Sequence, residues 1–132
     1  MPEKQPENPH EAEALALAQK GIEAGASGNH AEAAACWQAA SAYADGHLPG
    51  ADIAFWIKSG LGAALYDVGA YEESIAASRL ALDWCSSQKQ PLPALTLARS
   101  YRRLGDDAAA QDYIEHARRL VGDTILEAWR KD

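Results

Sequence analysis

Apolar positions along this chain recur at helical spacing, in stretches closed by glycine. Ile57, Leu61, Ala64, Leu65 and Val68 fall at i, i+4, i+7, i+8 and i+11, which puts them on one side of a helix. Trp56, Ser59, Ala63, Tyr66 and Asp67 form a second stripe beside the first. Further on, Ala94, Leu97, Ala98 and Tyr101 make one face, and Leu92, Leu95, Arg99, Arg102 and Arg103 make another.

The stretches repeat. Gly28-Asn29-His30-Ala31-Glu32-Ala33, Gly69-Ala70-Tyr71-Glu72-Glu73-Ser74 and Gly105-Asp106-Asp107-Ala108-Ala109-Ala110 each separate two helical runs, and their glycines lie 41 and 36 residues apart. Each glycine suits the left-handed position that ends a helix, and Asn29 and Asp106 are placed to cap the next one. Asn8-Pro9-His10-Glu11 reads as a helix start with a capping box.

The expected helices are about 9–26, 30–44, 52–67, 71–86, 91–104 and 107–121, with a short seventh over about 123–130. They follow a flexible segment over 1–8. Pro91 and Pro93 fit only the first turn of the fifth helix. Gly21, Gly62, Ala33, Ala40 and Ala98 allow close helix approach.

Composition narrows the fold class. Of the 132 residues 29 are Ala, whereas Val, Ile and Thr together supply 10, which excludes a sheet-based fold. Doubly wound nucleotide-binding folds go with it. No run approaches the roughly 18 apolar residues of a membrane span. The polar, proline-rich start Met1-Pro2-Glu3-Lys4-Gln5-Pro6-Glu7 lacks the order of a secretory signal, so a cytoplasmic location is expected.

The net charge of −7 is uneven: residues 1–57 hold eight acids and two bases, and residues 58–132 hold eleven acids and ten bases. Such a balance disfavours nucleic acid as a partner. Cys36 and Cys85 have no metal spacing and read as small hydrophobes. The four histidines are scattered, and there is no nucleophile elbow, zinc motif or phosphate loop. Glu72-Glu73 and Asp106-Asp107 sit at helix starts, where acids complement the dipole. No cofactor, metal or catalytic residue is therefore expected, and the oligomeric state is left open.

These residues resemble the tetratricopeptide repeat family, which stacks helix pairs of about 34 residues. The first unit, about 9–45, carries Leu17, Gly21, Ala24, Gly28, Ala33, Trp37 and Ala40. The second, about 51–86, carries Leu61-Gly62, Leu65, Gly69 to Glu73 and Ala81. The third, about 91–121, carries Leu97-Ala98, Tyr101, Gly105, Ala110, Ile114 and Ala117. Lys20 and Lys58 depart from the pattern by standing at usually apolar positions. Ser74 and Ser78 also depart from it, implying a second B helix that packs loosely or faces water.

The resemblance implies an all-α, right-handed superhelix of three pairs, with the seventh helix, carrying Ile125, Leu126 and Trp129, covering the flank of the third. It also implies a concave groove lined by Leu15, Ala18 and Ile22, then Trp56, Ser59, Ala63, Tyr66 and Asp67, then Leu92, Leu95, Arg99, Arg102 and Arg103. Trp, Tyr and Arg commonly anchor interfaces, so the groove would bind another protein. The alternative is that Trp56 and Tyr66 pack between repeats and the arginines are a solvated face.

Phe55 to Tyr66, the turn at Gly69 to Glu73, Leu97 to Tyr101 and the ending Gly122 to Glu127 look like small bacterial three-repeat immunity proteins, partners of polymorphic toxins. Ala63 stands where that group often has Asp. This similarity implies a toxin inhibitor; a secretion chaperone or assembly adaptor is the other reading.

Overall fold

The computed structural model describes residues 8–132, which form seven α-helices and, among the described residues, no strand. They are α1 (Pro9–Ala26), α2 (His30–His47), α3 (Asp52–Asp67), α4 (Tyr71–Ser87), α5 (Leu92–Arg103), α6 (Asp107–Val121) and α7 (Ile125–Lys131). The expected flexible segment over 1–8 lies outside the described residues except for Asn8, which is the N-cap of α1 and accepts a hydrogen bond from His10 N at 2.9 Å.

Consecutive helices pack as the pairs α1–α2, α3–α4 and α5–α6. The pairs meet through α2–α3 and α4–α5, while α1 touches α3 and α3 touches α5. This is the packing of a helical repeat, with α1, α3 and α5 side by side.

The turns follow the sequence. Gly28, Gly69 and Gly105 have φ of 81°, 83° and 86°, values that an L side chain rarely adopts. Asp106 caps α6 by accepting from Ala109 N at 3.1 Å, whereas Asn29 makes no side-chain cap. α2 runs one turn past the expected end because tertiary contacts hold that turn. His47 stacks on His10 with ring centroids 4.2 Å apart, and Asp45 accepts from Lys58 Nζ at 2.8 Å. Lys58 also donates to Ser41, so the cation at an apolar position is paired while its stem is covered.

The core is built largely of alanine around a few large side chains. Ala14, Ala18, Ala33, Ala40 and Ala64 surround Trp37, Ile57 and Leu61, and Ile114 and Ala117 join Ala94 and Ala98 in the third pair. Small residues set the spacing. A Cβ on Gly21 would come within 2.8 Å of the Trp37 ring, and one on Gly60 would overlap the far side of the same ring.

The expectation for α4 is corrected. Ser74 and Ser78 are fully buried at the α3–α4 interface. Ser74 Oγ donates to Gly62 O at 2.6 Å and accepts from Ser100 Oγ at 3.2 Å, so a hydroxyl serves as an interior residue by bonding across to α3 and α5. Burial also pushes the Cys85 thiol up, against a hydrogen bond from Ser59 that lowers it.

Candidate protein-binding face

The residues singled out from sequence divide into two clusters on the side formed by α1, α3 and α5. In the first, Trp56 and Ser59 from α3 line a dent of about 190 Å³ together with Ile22 of α1, Trp37 of α2, Gly60, Gln90 and Leu92. Trp56 meets Trp37 edge to face at 5.5 Å and is half-buried. Ile22 and Leu92 are 41% and 40% exposed, large apolar side chains left in water at its rim. Leu15, two turns before Ile22 on α1, is exposed as well. Ser59 is buried, contributing the floor and not a free hydroxyl, and Ala18 is likewise sealed in the core.

The second cluster is built on α5, and its occupant was not foreseen. Arg99, Arg102 and Arg103 converge with Tyr66 on the Asp132 side chain, which is only 9% exposed. Tyr66 OH donates to Asp132 Oδ1 at 2.6 Å and Arg102 Nη2 donates to Oδ2 at 2.9 Å. Arg99 Nε stands 3.4 Å from Oδ1 and Arg103 Nη2 stands 3.9 Å from it.

The same arginines finish α7. Arg99 Nη2 donates to Ala128 O at 3.1 Å and Arg102 Nη2 to Trp129 O at 2.9 Å, which satisfies carbonyls at the helix end and places cations at its negative pole. The Arg102 guanidinium also lies 3.4 Å from the centroid of the Trp129 ring.

The groove residues expected in the third unit are therefore in contact with α7 and Asp132 of the same chain. Leu95 is buried, and Ile125, Leu126, Ala128 and Trp129 pack against the cluster formed by Ala94, Leu95, Ala98, Ile114 and Ala117. α7 does cover the third unit, but it reaches across to α5 and takes the arginine side chains. α5 is apolar in its first turns and basic at its end, and α7 matches that order, with its apolar side chains on the apolar part and Asp132 on the arginines. Asp67 belongs to neither cluster; its carboxylate faces His30 at 3.8 Å.

Sequence reasoning missed Asp132, Gln90 and the share of Trp37 in the dent. For Asp132 the only available signal was an acid at the end of an amphipathic segment opposite an excess of arginine.

The clasp shifts its own titrations. Burial would raise the Asp132 carboxyl, but hydrogen bonds from Tyr66 and Arg102 with the charges of Arg99 and Arg102 outweigh it and hold the group below the ordinary range. Burial first, then the hydrogen bond and negative charge of Asp132, push Tyr66 from 10.0 up to about 12.

A phenol whose folded value is raised stabilises the fold fully below pH 10 and loses that contribution as pH climbs toward 12. The carboxylate contributes above the ordinary carboxylate range and loses its contribution as pH falls through its lowered value. The difference between alkaline absorbance titrations of the parent and Tyr66→Phe should have its midpoint near 12, and in Asp132→Asn it should move back toward 10. A midpoint near 10 in the parent would mean the clasp does not form.

Among the described residues, no three His, Cys, Asp or Glu side chains could share a metal ion, and no helix is long and apolar enough to cross a membrane. No protein-family model and no curated protein matches this chain.

Proposed function

We propose that the chain is a non-catalytic protein-binding module of tetratricopeptide-repeat type that acts as an immunity-type inhibitor, seating on a folded toxin or effector domain and blocking it in the cytoplasm. One observation carries the reading. Ile22, Trp56 and Leu92, from three helices laid side by side, line a single apolar dent open to solvent. Large apolar side chains gathered at one exposed place mark an interaction surface, and an aromatic in a shallow pocket is the usual anchor.

The dent is short, because α7 covers the rest of α5. A short dent suits a protruding side chain or a preformed helix of a folded partner better than a long extended client. This supports the inhibitor over the secretion chaperone or assembly adaptor. The acidic first half, with eight acids and two bases over residues 1–57, would steer a basic region of the partner, such as the substrate-binding surface of a nuclease domain.

The partner is to be recovered by co-purification from the native host, and the complex then measured with Ile22→Glu and Leu92→Glu. Each exposed leucine or isoleucine can accept a charge without disturbing the core. Each variant should keep its melting temperature and lose affinity by about thirty-fold, the usual weight of an interface anchor. The inhibitor should quench the activity of the folded partner domain. A partner that binds only when unfolded would support the chaperone, and undiminished affinity in both variants would remove the dent from the interface.

A further inference from the structure

We propose that α7 is a displaceable occupant of a docking site for an acidic amphipathic helix of the partner protein, and that the partner takes the Tyr66–Arg99–Arg102–Arg103 clasp by evicting it. This rests on reading the α1–α3–α5 side as the binding face, and it adds the chemistry of the bound segment.

Three features of the clasp support it. First, the charges do not balance. Three guanidiniums converge on one carboxylate, so a segment with a second acid would be held better than α7, whose own neighbours Arg130 and Lys131 are basic. Second, the resident shows which pattern fits. Ile125, Leu126 and Trp129 lie on the apolar part of α5 and α6, and an acid three residues after the Trp reaches the arginines.

Third, α7 is lightly held. It has seven residues, none fully buried and no side-chain cap at its start, and it follows Gly122 at φ 91°. Helices this short are marginal without their contacts, and elements with few buried contacts open first. The site also continues the dent, since Leu92 at its rim and Leu95 beneath α7 belong to the same helix. A bound helix could therefore engage both.

A tethered segment competes at high effective concentration. The affinity for an incoming helix is thus scaled down to the fraction of time that the strap is open, and loosening the strap must strengthen binding in trans. The probe is a fluorescent peptide copying residues 122–132, added to the full chain.

Asp132→Asn in the protein should raise its affinity for the peptide about ten-fold over the parent, the scale of one charge-assisted contact. The same Asp132→Asn change in the peptide should remove that gain. Arg102→Gln in the Asp132→Asn protein should remove it too. Hydrogen exchange should show faster α7 amides in the Asp132→Asn protein, with α1 to α6 unchanged.

Equal peptide affinity for parent and Asp132→Asn, indifference to the carboxylate of the peptide, or no binding to any form would overturn the proposal. A parent protein that dimerises with rising concentration would assign the site to a second copy's α7 and overturn it also. None of these readouts depends on Ile22 or on an identified partner, so failure here and failure of the dent are separate results.

Discussion

Trp37→Ala should destabilise the protein by about 3–5 kcal/mol, the range for deleting a large buried aromatic. That is a large part of the about 5–15 kcal/mol that holds a typical domain together. Among the described residues, Trp37 is the one aromatic of the buried core, at 7% exposure. It shares its core cluster with alanines such as Ala18, Ala33 and Ala40, whose short side chains cannot reach into a void. Gly21 and Gly60 stand against opposite ends of its indole, so the ring is packed between the first and second helix pairs. Truncation leaves a void that runs from the core into the dent.

Urea unfolding followed by circular dichroism should show the midpoint fall with an unchanged slope. A cost under about 1 kcal/mol would mean that the pairs hold together without this residue. The effect extends to the candidate site, because Trp37 also lines the dent and braces Trp56 at 5.5 Å. Loss of partner binding in this variant would therefore report collapse of the dent, which is why the rim residues Ile22 and Leu92 are the cleaner test of recognition.

What could be read from sequence, and what could not, separates along physical lines. The glycines at 28, 69 and 105 announce helix ends because a positive φ is a local requirement that few residues meet. α3 and α6 fall on their expected bounds for the same reason. The apolar stripe of α3 identifies Ile57, Leu61 and Ala64 as buried, yet misplaces Val68, which is exposed past the helix end. Periodicity describes the faces of one helix and says nothing of how many neighbours surround it. α3 touches α1, α2, α4 and α5, so Ser59 on a different stripe is buried too.

The serines of α4 were misread because hydroxyls count as polar. Whether one is satisfied depends on a carbonyl twelve residues away, at Gly62. The arginines of α5 read as groove lining or a solvated face because nothing nearby in sequence opposes them. Their partner lies 29 to 33 positions on, and only the folded chain brings it there.

The buried serines carry the second large prediction. Glycine inside a helix ordinarily costs about 1 kcal/mol relative to alanine, so Gly62→Ala in an isolated α3 would stabilise it. In the protein it should do the opposite, with a loss of about 1–3 kcal/mol from overpacking. A Cβ at position 62 would fall on Ser78 Oγ and lie 3.3 Å from both Ser78 Cβ and Ser78 N. The hydroxyl could swing aside, but the backbone of α4 could not.

Ser78 offers the compensating change. Its Oγ is buried with no hydrogen-bond partner among the described residues. Ser78→Ala therefore surrenders no bond and removes a polar atom from a dry interface, and it should be neutral or stabilising. Combined, the two substitutions should recover part of the loss, with a coupling energy of about 1 kcal/mol. The remainder would be set by the tight contacts to the α4 backbone. Gly62→Ala as stable as the parent would show that α3 and α4 are not pressed together at this point. A double variant that merely adds the two single effects would show that the approach of the α4 backbone, not the hydroxyl, accounts for the glycine.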